Sequence, residues 1–465
     1  LSGNVIGSGV QPMGGVQHVA PGSAAPHWGL PIALLVCVAL LSGCSVLSLG
    51  QSANPAPVLG PSSAPVPPAG STSAPAVPAA SSTPSAPASA PLSAAERAQQ
   101  FARWVDAFRS SARAAGIGEA TLHAALDTVR YLPQVVQADK VQPEFSRPVW
   151  DYLDSAVSAQ RVARGQDKLR QLSAVLGPIA TRYGVPAEVL VAIWGVESSF
   201  GTYTGDIPTI DALATLGFEG RREAWARSQL MAALTIVQNG DIDRSHMLGS
   251  WAGAMGQTQF LPTVYVAHAV DADGDGRRDI WGSIPDVMAS TANFIAHSGW
   301  KADQVWGLEV RLPAGFDYAS TDTRLSSEQW ADKGVSAMDG KQLPALADAT
   351  ILLPAGARGP AFLIGNNFRT ILRYNNATSY ALAISLLAQR LANGPAVQAA
   401  WPRDQQPLSR SQVLALQQAL NAQGFDCGTP DGIAGAATRS CIRRYQSSQG
   451  LAADGFATLE LLQRL

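Results

Sequence analysis

The sequence predicts a mainly α-helical protein with a small sheet, and three observations carry this. Apolar residues recur three and four apart through most of residues 95–395. The segments marked in this way carry helix punctuation: Pro186 at a first-turn position, Gly201 past one end and Gly240 after Asn239. Strand-like alternation is confined to a weak stretch at 305–312 (VWGLEVRL). Helices are expected over 95–115, 155–177, 186–200, 222–239, 285–297 and 379–392. At 465 residues the chain has room for two or three domains of roughly 150 residues. Lys and Arg total 33 and Asp and Glu 35, a formal charge of −2. So near a balance argues against the clustered cations that a nucleic-acid partner requires. Only 15% of residues are charged, against about 25% in ordinary soluble domains. The deficit is local, because no Asp, Glu, Lys or Arg precedes Glu96.

Within that uncharged stretch, residues 30–41 (LPIALLVCVALL) are apolar and lead into Leu41-Ser42-Gly43-Cys44. An apolar run of this length before small residues reads as an export signal. The tetrad resembles a bacterial lipobox, which implies lipidation of Cys44 and, with Ser45 following, an outer-membrane anchor. A membrane-spanning segment is the alternative, since Val46, Leu47 and Leu49 extend the run toward the ~20 residues a span requires. Residues 1–29 contain no Lys or Arg, so the usual basic flank is missing. Residues 51–92 hold 11 of the chain's 31 prolines. They carry too little apolar surface to offset the entropy of ordering, so a disordered tether is expected. At ~3.1 Å per residue its full reach is on the order of 130 Å. The expected organisation is a signal over 1–44, a linker over 45–94, a folded body over 95–395, a Pro/Gln-rich break over 396–407 and a small module over 408–465.

Cys37 and Cys44 fall in the signal, which leaves Cys427 and Cys441 in the folded region. A pair in an exported protein is most simply a disulfide, with two buried free thiols as the alternative. Closing a loop of about 15 residues stabilises by up to ~3 kcal/mol in the chain-entropy description.

The most informative helix lies in 185–201, VPAEVLVAIWGVESSFG. Val189, Leu190, Ile193, Trp194 and Val196 make it apolar nearly all round. Glu197 falls in its last turn, with Ile193 and Trp194 at i−4 and i−3 and Phe200 at i+3. Apolar neighbours desolvate the carboxylate and the negative helix end repels it, so both raise its pKa. A carboxyl held protonated near neutrality can act as a general acid. From position alone, a helix-end Glu directed into water is the commoner outcome.

AIWGVESSFG resembles the catalytic helix of the goose-lysozyme-like lytic transglycosylases, specifically the membrane-bound lytic murein transglycosylase B family. Ile210-Asp211-Ala212-Leu213-Ala214-Thr215-Leu216 and Arg221-Arg222 follow at family spacing. The run Gly249-Ser250-Trp251-Ala252-Gly253-Ala254-Met255-Gly256-Gln257-Thr258-Gln259-Phe260-Leu261-Pro262 resembles the central signature of that family. Arg373-Tyr374-Asn375 with Ser379-Tyr380-Ala381 resembles its closing motif. The resemblance implies a lysozyme-like (goose-type) catalytic body with Glu197 as single acid/base. It implies a glycan groove lined by Ser250, Gln259, Tyr374, Asn375 and Tyr380, with Arg221 and Arg222 facing substrate. Taken alone, the two tyrosines read as half-buried packing residues, Ser250 as a helix or turn cap and the arginines as an exposed pair.

The implied reaction is cleavage of the β-1,4 bond from N-acetylmuramic acid to N-acetylglucosamine in peptidoglycan, giving 1,6-anhydromuramoyl ends without a cofactor. Most glycosidases use two carboxylates, but substrate-assisted ones do not. Asp206 and Asp211 are the nearby acids that would instead support a water-using muramidase. A catalytically silent wall-binding scaffold is the reading from another class.

Asp271-Ala272-Asp273-Gly274-Asp275-Gly276-Arg277-Arg278-Asp279 places oxygen ligands at loop positions 1, 3 and 5, Gly at 6, Arg277 at 7 and an Asp at 9. This alternation suits a hard cation in a tight turn. Position 12 is Gly282 rather than Glu. The family resemblance implies a lengthened EF-hand-like loop closed by Asp286, holding a structural Ca2+ or Na+. A solvated acidic turn is the plain alternative. No His-Glu-x-x-His, P-loop or Gly-x-Ser-x-Gly pattern is present.

In residues 408–465, Val413, Leu414, Leu416 and Leu420 form one apolar helix face, and Ala437, Cys441, Ile442 and Tyr445 another. Asp431-Gly432 and Asp454-Gly455 are turns 23 residues apart, an internal repeat. LQQAL, PDGIAG and RRYQSSQGL resemble the three-helix peptidoglycan-binding domain, with Ala457-Thr458 where the second turn usually carries a later Gly. The partners implied are peptidoglycan strands, a membrane through Cys44, and cell-wall synthesis or division proteins, for a monomer in a Gram-negative periplasm.

Overall fold

The computed structural model describes residues 93–140 and 147–465. The expected export signal with Cys37 and Cys44, and the expected tether up to residue 92, lie outside the described residues. Among the described residues no single helix is long and apolar enough to cross a membrane.

The body is assembled around the helix Ala187–Ser198. Seven consecutive residues, Val189 through Gly195, and then Ser198 are buried, so the helix offers no polar face and is stable only when surrounded. Helices Ala159–Gln171, Ser173–Tyr183, Ile284–His297 and Thr378–Leu391 supply that surround. A second group, Thr209–Phe218 packed between Ala94–Ala114, Pro133–Lys140 and Glu223–Gln238, lies beside it. Five expected helices appear within two residues of their expected ends: Ala94–Ala114, Ala187–Ser198, Glu223–Gln238, Ile284–His297 and Thr378–Leu391. The sixth, expected over 155–177, is broken into three: Val149–Ala156, Ala159–Gln171 and Ser173–Tyr183. The first break has a cause in Ser158, whose backbone is extended and whose Oγ accepts the Arg161 N–H, starting a new helix.

Six short strands occur among the described residues. β1 (Ile207–Pro208) pairs antiparallel with β2 (Leu248–Gly249) and joins the segment after the Glu197 helix to the Ser250 loop. β3 (Gly307–Arg311), β4 (Ser336–Ala337), β5 (Thr350–Leu352) and β6 (Ala361–Ile364) form an antiparallel sheet in the order β4-β3-β6-β5. Along β6 the period of two divides the side chains. Phe362 and Ile364 join the main core, while Ala361 and Leu363 join a smaller one around Trp330 and Phe316.

The C-terminal module has helices Arg410–Ala422, Ala436–Ser448 and Leu459–Gln463 around Leu416, Leu420, Cys441, Ile442 and Tyr445. Cys427 and Cys441 are disulfide-bonded, with Cα atoms 5.1 Å apart. Ala437, expected on the apolar face, is exposed, and Thr438 is the buried residue there. The 23-residue repeat is physical: Gln417 Oε1 accepts the N–H groups of Asp431 and Gly432, and Gln446 Oε1 accepts that of Gly455. Asp454 also turns Oδ2 toward the body, accepting the Ala357 N–H at 2.8 Å. Two cavities of about 170 Å3 lie at this seam, one against Trp150 and Phe456, the other against Arg358 and Asp454. Neither includes Glu197.

Candidate active site

Glu197 is the penultimate residue of Ala187–Ser198, and the chain leaves that helix abruptly. Ser199, Phe200 and Gly201 have φ of 52°, 59° and 76°. For the two non-glycine residues this left-handed backbone costs roughly 1–2 kcal/mol each, so tertiary contacts must hold it. Three donors converge on the Trp194 carbonyl: the N–H groups of Ser199 and Phe200 and the Ser198 hydroxyl. The Phe200 ring then folds back edge-on to Trp194, with centroids 5.6 Å apart.

The Tyr380 hydroxyl donates to Glu197 Oε1 at 2.6 Å. Tyr380 enters from the first turn of Thr378–Leu391, 183 residues along the chain. Its ring stacks on Tyr374 at 6.3 Å and 17°, and the Tyr374 hydroxyl donates to the Thr258 carbonyl at 2.5 Å. Glu197 keeps a partly exposed edge, yet its carboxyl lies among these rings and the buried helix. Desolvation therefore dominates and pushes its pKa up to about 7, with the Tyr380 hydrogen bond pulling the other way. Burial, followed by the Glu197 charge, holds both phenols protonated far above their usual range. The site thus has one carboxyl poised at neutrality and a neutral phenol donor fixed against it.

The 248–262 loop closes around this cluster. Gly205 in the turn before β1 must be glycine, because a Cβ there would meet the Gly249 carbonyl oxygen at 2.1 Å. Ser250 Oγ accepts the N–H groups of Ala252 and Ala254 at 3.3 and 3.1 Å, the turn-capping arrangement. Gln259, at φ 52°, donates Nε2 to the carbonyls of Thr204 and Gly256, both at 2.9 Å. Asn375 is the extended C-cap of Asn366–Tyr374, directly after Tyr374. Arg221 makes a bidentate pair with Asp139 at 2.8 and 2.9 Å. Arg222 lies over the Trp225 ring at 3.8 Å and reaches the same carboxylate at 3.8 Å. The contacts of both arginines are with Asp139 and Trp225 rather than with the Glu197–Tyr380 pair.

The two other acids differ in kind. Asp211 is wholly buried, paired with Arg244 at 2.7 Å and accepting the Arg130 N–H at 3.0 Å. Its carboxylate is committed to holding the 127–132 and 240–247 segments together. Asp206 is exposed in the turn before β1.

In the acidic loop, one carboxylate oxygen from each of Asp271, Asp273 and Asp286 lie within 4.8 Å of one another. Asp286 is buried at the start of Ile284–His297 and accepts N–H bonds from Ala272, Asp273 and Asp279. Burial raises its pKa. Asp275 Oδ1 caps the Arg277 N–H at 2.8 Å, so it does not join that trio. Three converging carboxylates fit a hard cation with oxygen ligands.

One residue escapes the sequence reading. Gln257, 7% exposed, accepts the Trp194 indole N–H on Oε1 at 2.8 Å and donates Nε2 to the Trp281 carbonyl at 2.7 Å. Its only sequence signal is its place in the glycine-rich block two residues before Gln259.

The chain matches the Transglycosylase SLT domain family over residues 100–389 and the Putative peptidoglycan binding domain family over 409–465. It is 37% identical over 217 residues to the membrane-bound lytic murein transglycosylase B of Escherichia coli, covering 45% of this chain and 58% of that protein's length. The structure of SltB3 from Pseudomonas aeruginosa in complex with NAG-anhNAM-pentapeptide superposes with a TM-score of 0.77 at 52% identity, covering 79% of this chain and 99% of that one. Escherichia coli Slt35 in complex with calcium superposes with a TM-score of 0.53 at 31% identity, covering 63% and 93%.

Proposed function

The chain belongs to the Transglycosylase SLT domain family, and from that membership we propose that it is a lytic murein transglycosylase in which Glu197 is the acid/base. The observation that carries the reading is the Tyr380 hydroxyl 2.6 Å from a Glu197 carboxyl whose pKa is pushed up to about 7. A carboxyl at that value is both protonated and deprotonated in useful amounts at neutral pH, as one group serving two steps requires.

Protonated Glu197 gives its proton to the glycosidic oxygen between N-acetylmuramic acid and N-acetylglucosamine, and the C1–O bond breaks. The carboxylate so formed, stabilised by Tyr380, takes the proton of the muramoyl C6 hydroxyl as that oxygen bonds to C1. The proton count closes, no water is consumed and the product carries a 1,6-anhydro ring. The substrate's N-acetyl group stabilises the cationic intermediate, in line with a site where Asp211 is already committed to Arg244. Ser250, Gln259, Tyr374 and Asn375 line the groove, and Arg221 and Arg222 face more distant parts of the strand. Asp271, Asp273 and Asp286 would hold a structural Ca2+, with Asp275 and Arg277 completing the loop. The C-terminal module keeps the enzyme on the wall, and lipidation of Cys44 ties it to the outer membrane on the periplasmic side.

The test is digestion of purified peptidoglycan with wild type and Glu197→Gln, followed by mass analysis of the muropeptides. Anhydro ends from the wild type and none from the variant are expected. Reducing ends would identify a hydrolase, and no release by either protein would identify a binding protein.

A further inference from the structure

We infer that Gln257 is a positioning residue that fixes the Glu197 helix end through Trp194; the inference rests on the acid/base reading of Glu197. Trp194 is one turn before Glu197, and its carbonyl gathers the three donors that shape the left-handed exit of the helix. Whatever sets the orientation of Trp194 therefore sets where Glu197 points. The ring has three polar or aromatic anchors: the edge contact with Phe200, the Lys168 ammonium 5.7 Å from its centroid and the indole hydrogen bond to Gln257. The Lys168 contact and the Gln257 hydrogen bond both lead outside the helix and its own turn, and the hydrogen bond is the short, directional one.

Gln257 is itself immobilised. Its N–H donates to the Ile280 carbonyl at 2.8 Å and its Nε2 to the Trp281 carbonyl at 2.7 Å. Every polar group of the side chain that faces the helix is thus matched, and a buried amide in that condition has one orientation. Space for it is made by Gly201, where a Cβ would sit 2.2 Å from Gln257 Oε1. Gly201 thus serves the left-handed turn and also leaves room for the strut that holds it. Ile280 and Trp281 follow Asp279, whose N–H is fixed by Asp286, so the strut stands on a rigid wall.

Two variants test this. Gln257→Met keeps the side-chain length and removes both amide hydrogen bonds. Trp194→Phe keeps a ring and removes the indole donor. On purified peptidoglycan each is expected to lower kcat at least ten-fold with KM within two-fold. Each is also expected to move the basic limb of the pH profile to lower pH, because a loosened helix end admits water to the carboxyl. If Gln257 acts through Trp194, the double variant loses no more than the worse single one. Folded variants with unchanged kcat and an unmoved basic limb overturn the inference, as do multiplicative losses in the double variant. Should Gln257→Met fail to fold, Trp194→Phe alone carries the same pH and kcat expectations. An inactive wild type overturns the function and this inference together, whereas an active wild type with unaffected variants overturns the positioning role alone.

Discussion

Tyr380→Phe removes one oxygen and leaves the ring that stacks on Tyr374 in place. The lost group is the donor at 2.6 Å to Glu197 Oε1. A hydrogen bond to a charged carboxylate contributes about 1.5–3 kcal/mol, and one pKa unit corresponds to about 1.4 kcal/mol. The neutral acid also accepts part of that bond, so a net rise of about one unit is expected from the wild-type value of about 7. The sign follows from the two opposing causes: burial raises the pKa and Tyr380 lowers it, so deleting Tyr380 leaves burial unopposed. Glu197 must be protonated to donate, hence the basic limb of kcat/KM moves up by about one pH unit. The plateau falls roughly ten-fold, because the carboxylate that must accept the C6 proton has lost its partner. The assay is the release of anhydromuropeptides from purified peptidoglycan between pH 4 and 9, with circular dichroism to verify folding. A basic limb that stays in place or moves down would refute the reasoning, since it would mean that Tyr380 does not favour the ionised form.

Glu197→Gln should stabilise the protein in a pH-dependent way. Between the ordinary value of 4.5 and about 7 the unfolded chain has released a proton that the folded protein retains, so native stability declines as pH rises through that window and remains lowered by up to about 3 kcal/mol above it. Melting temperatures of variant and wild type should therefore diverge at pH 8 and coincide at pH 4; an equal gap at both would contradict the linkage. Millimolar Ca2+ should raise the wild-type melting temperature, by about 2.7 kcal/mol of stabilisation at a hundred times Kd, and Asp271→Asn with Asp273→Asn should abolish the response. A wild type indifferent to Ca2+ in calorimetry would remove the cation from the loop. Cys427→Ser should cost about 3 kcal/mol in a module closed over 14 residues of sequence separation. The expected signs are faster proteolysis of 408–465 and weaker pelleting with sacculi, while cleavage of soluble glycan is retained.

Which parts of the fold and site are legible in the sequence depends on how local their causes are. The helix carrying Glu197 is legible because apolar residues on every side of it can only mean burial, and burial is what raises the carboxyl's pKa. The sheet is nearly invisible, because strands of two to five residues are shorter than the window in which alternation can be counted. The first interruption of the helix expected over 155–177 arises because one serine side chain competes with the helical ladder, an event that periodicity does not register. Tyr380 meets Glu197 across 183 residues and enters only through family resemblance. Gln257 and Gln259 show the limit most sharply: they are two residues apart in one motif, yet one grips the acid's helix and the other closes a loop. Gly201 marks the helix end correctly by the rule that glycine follows a helix. The left-handed backbone nevertheless begins two residues earlier, at Ser199 and Phe200, where local preference opposes it. That opposition is overcome by Trp194, Phe200 and Gln257 acting together. The stretch where local rules fail is therefore the one directly after Glu197, as expected where a backbone is held out of its preferred state to aim a reacting group.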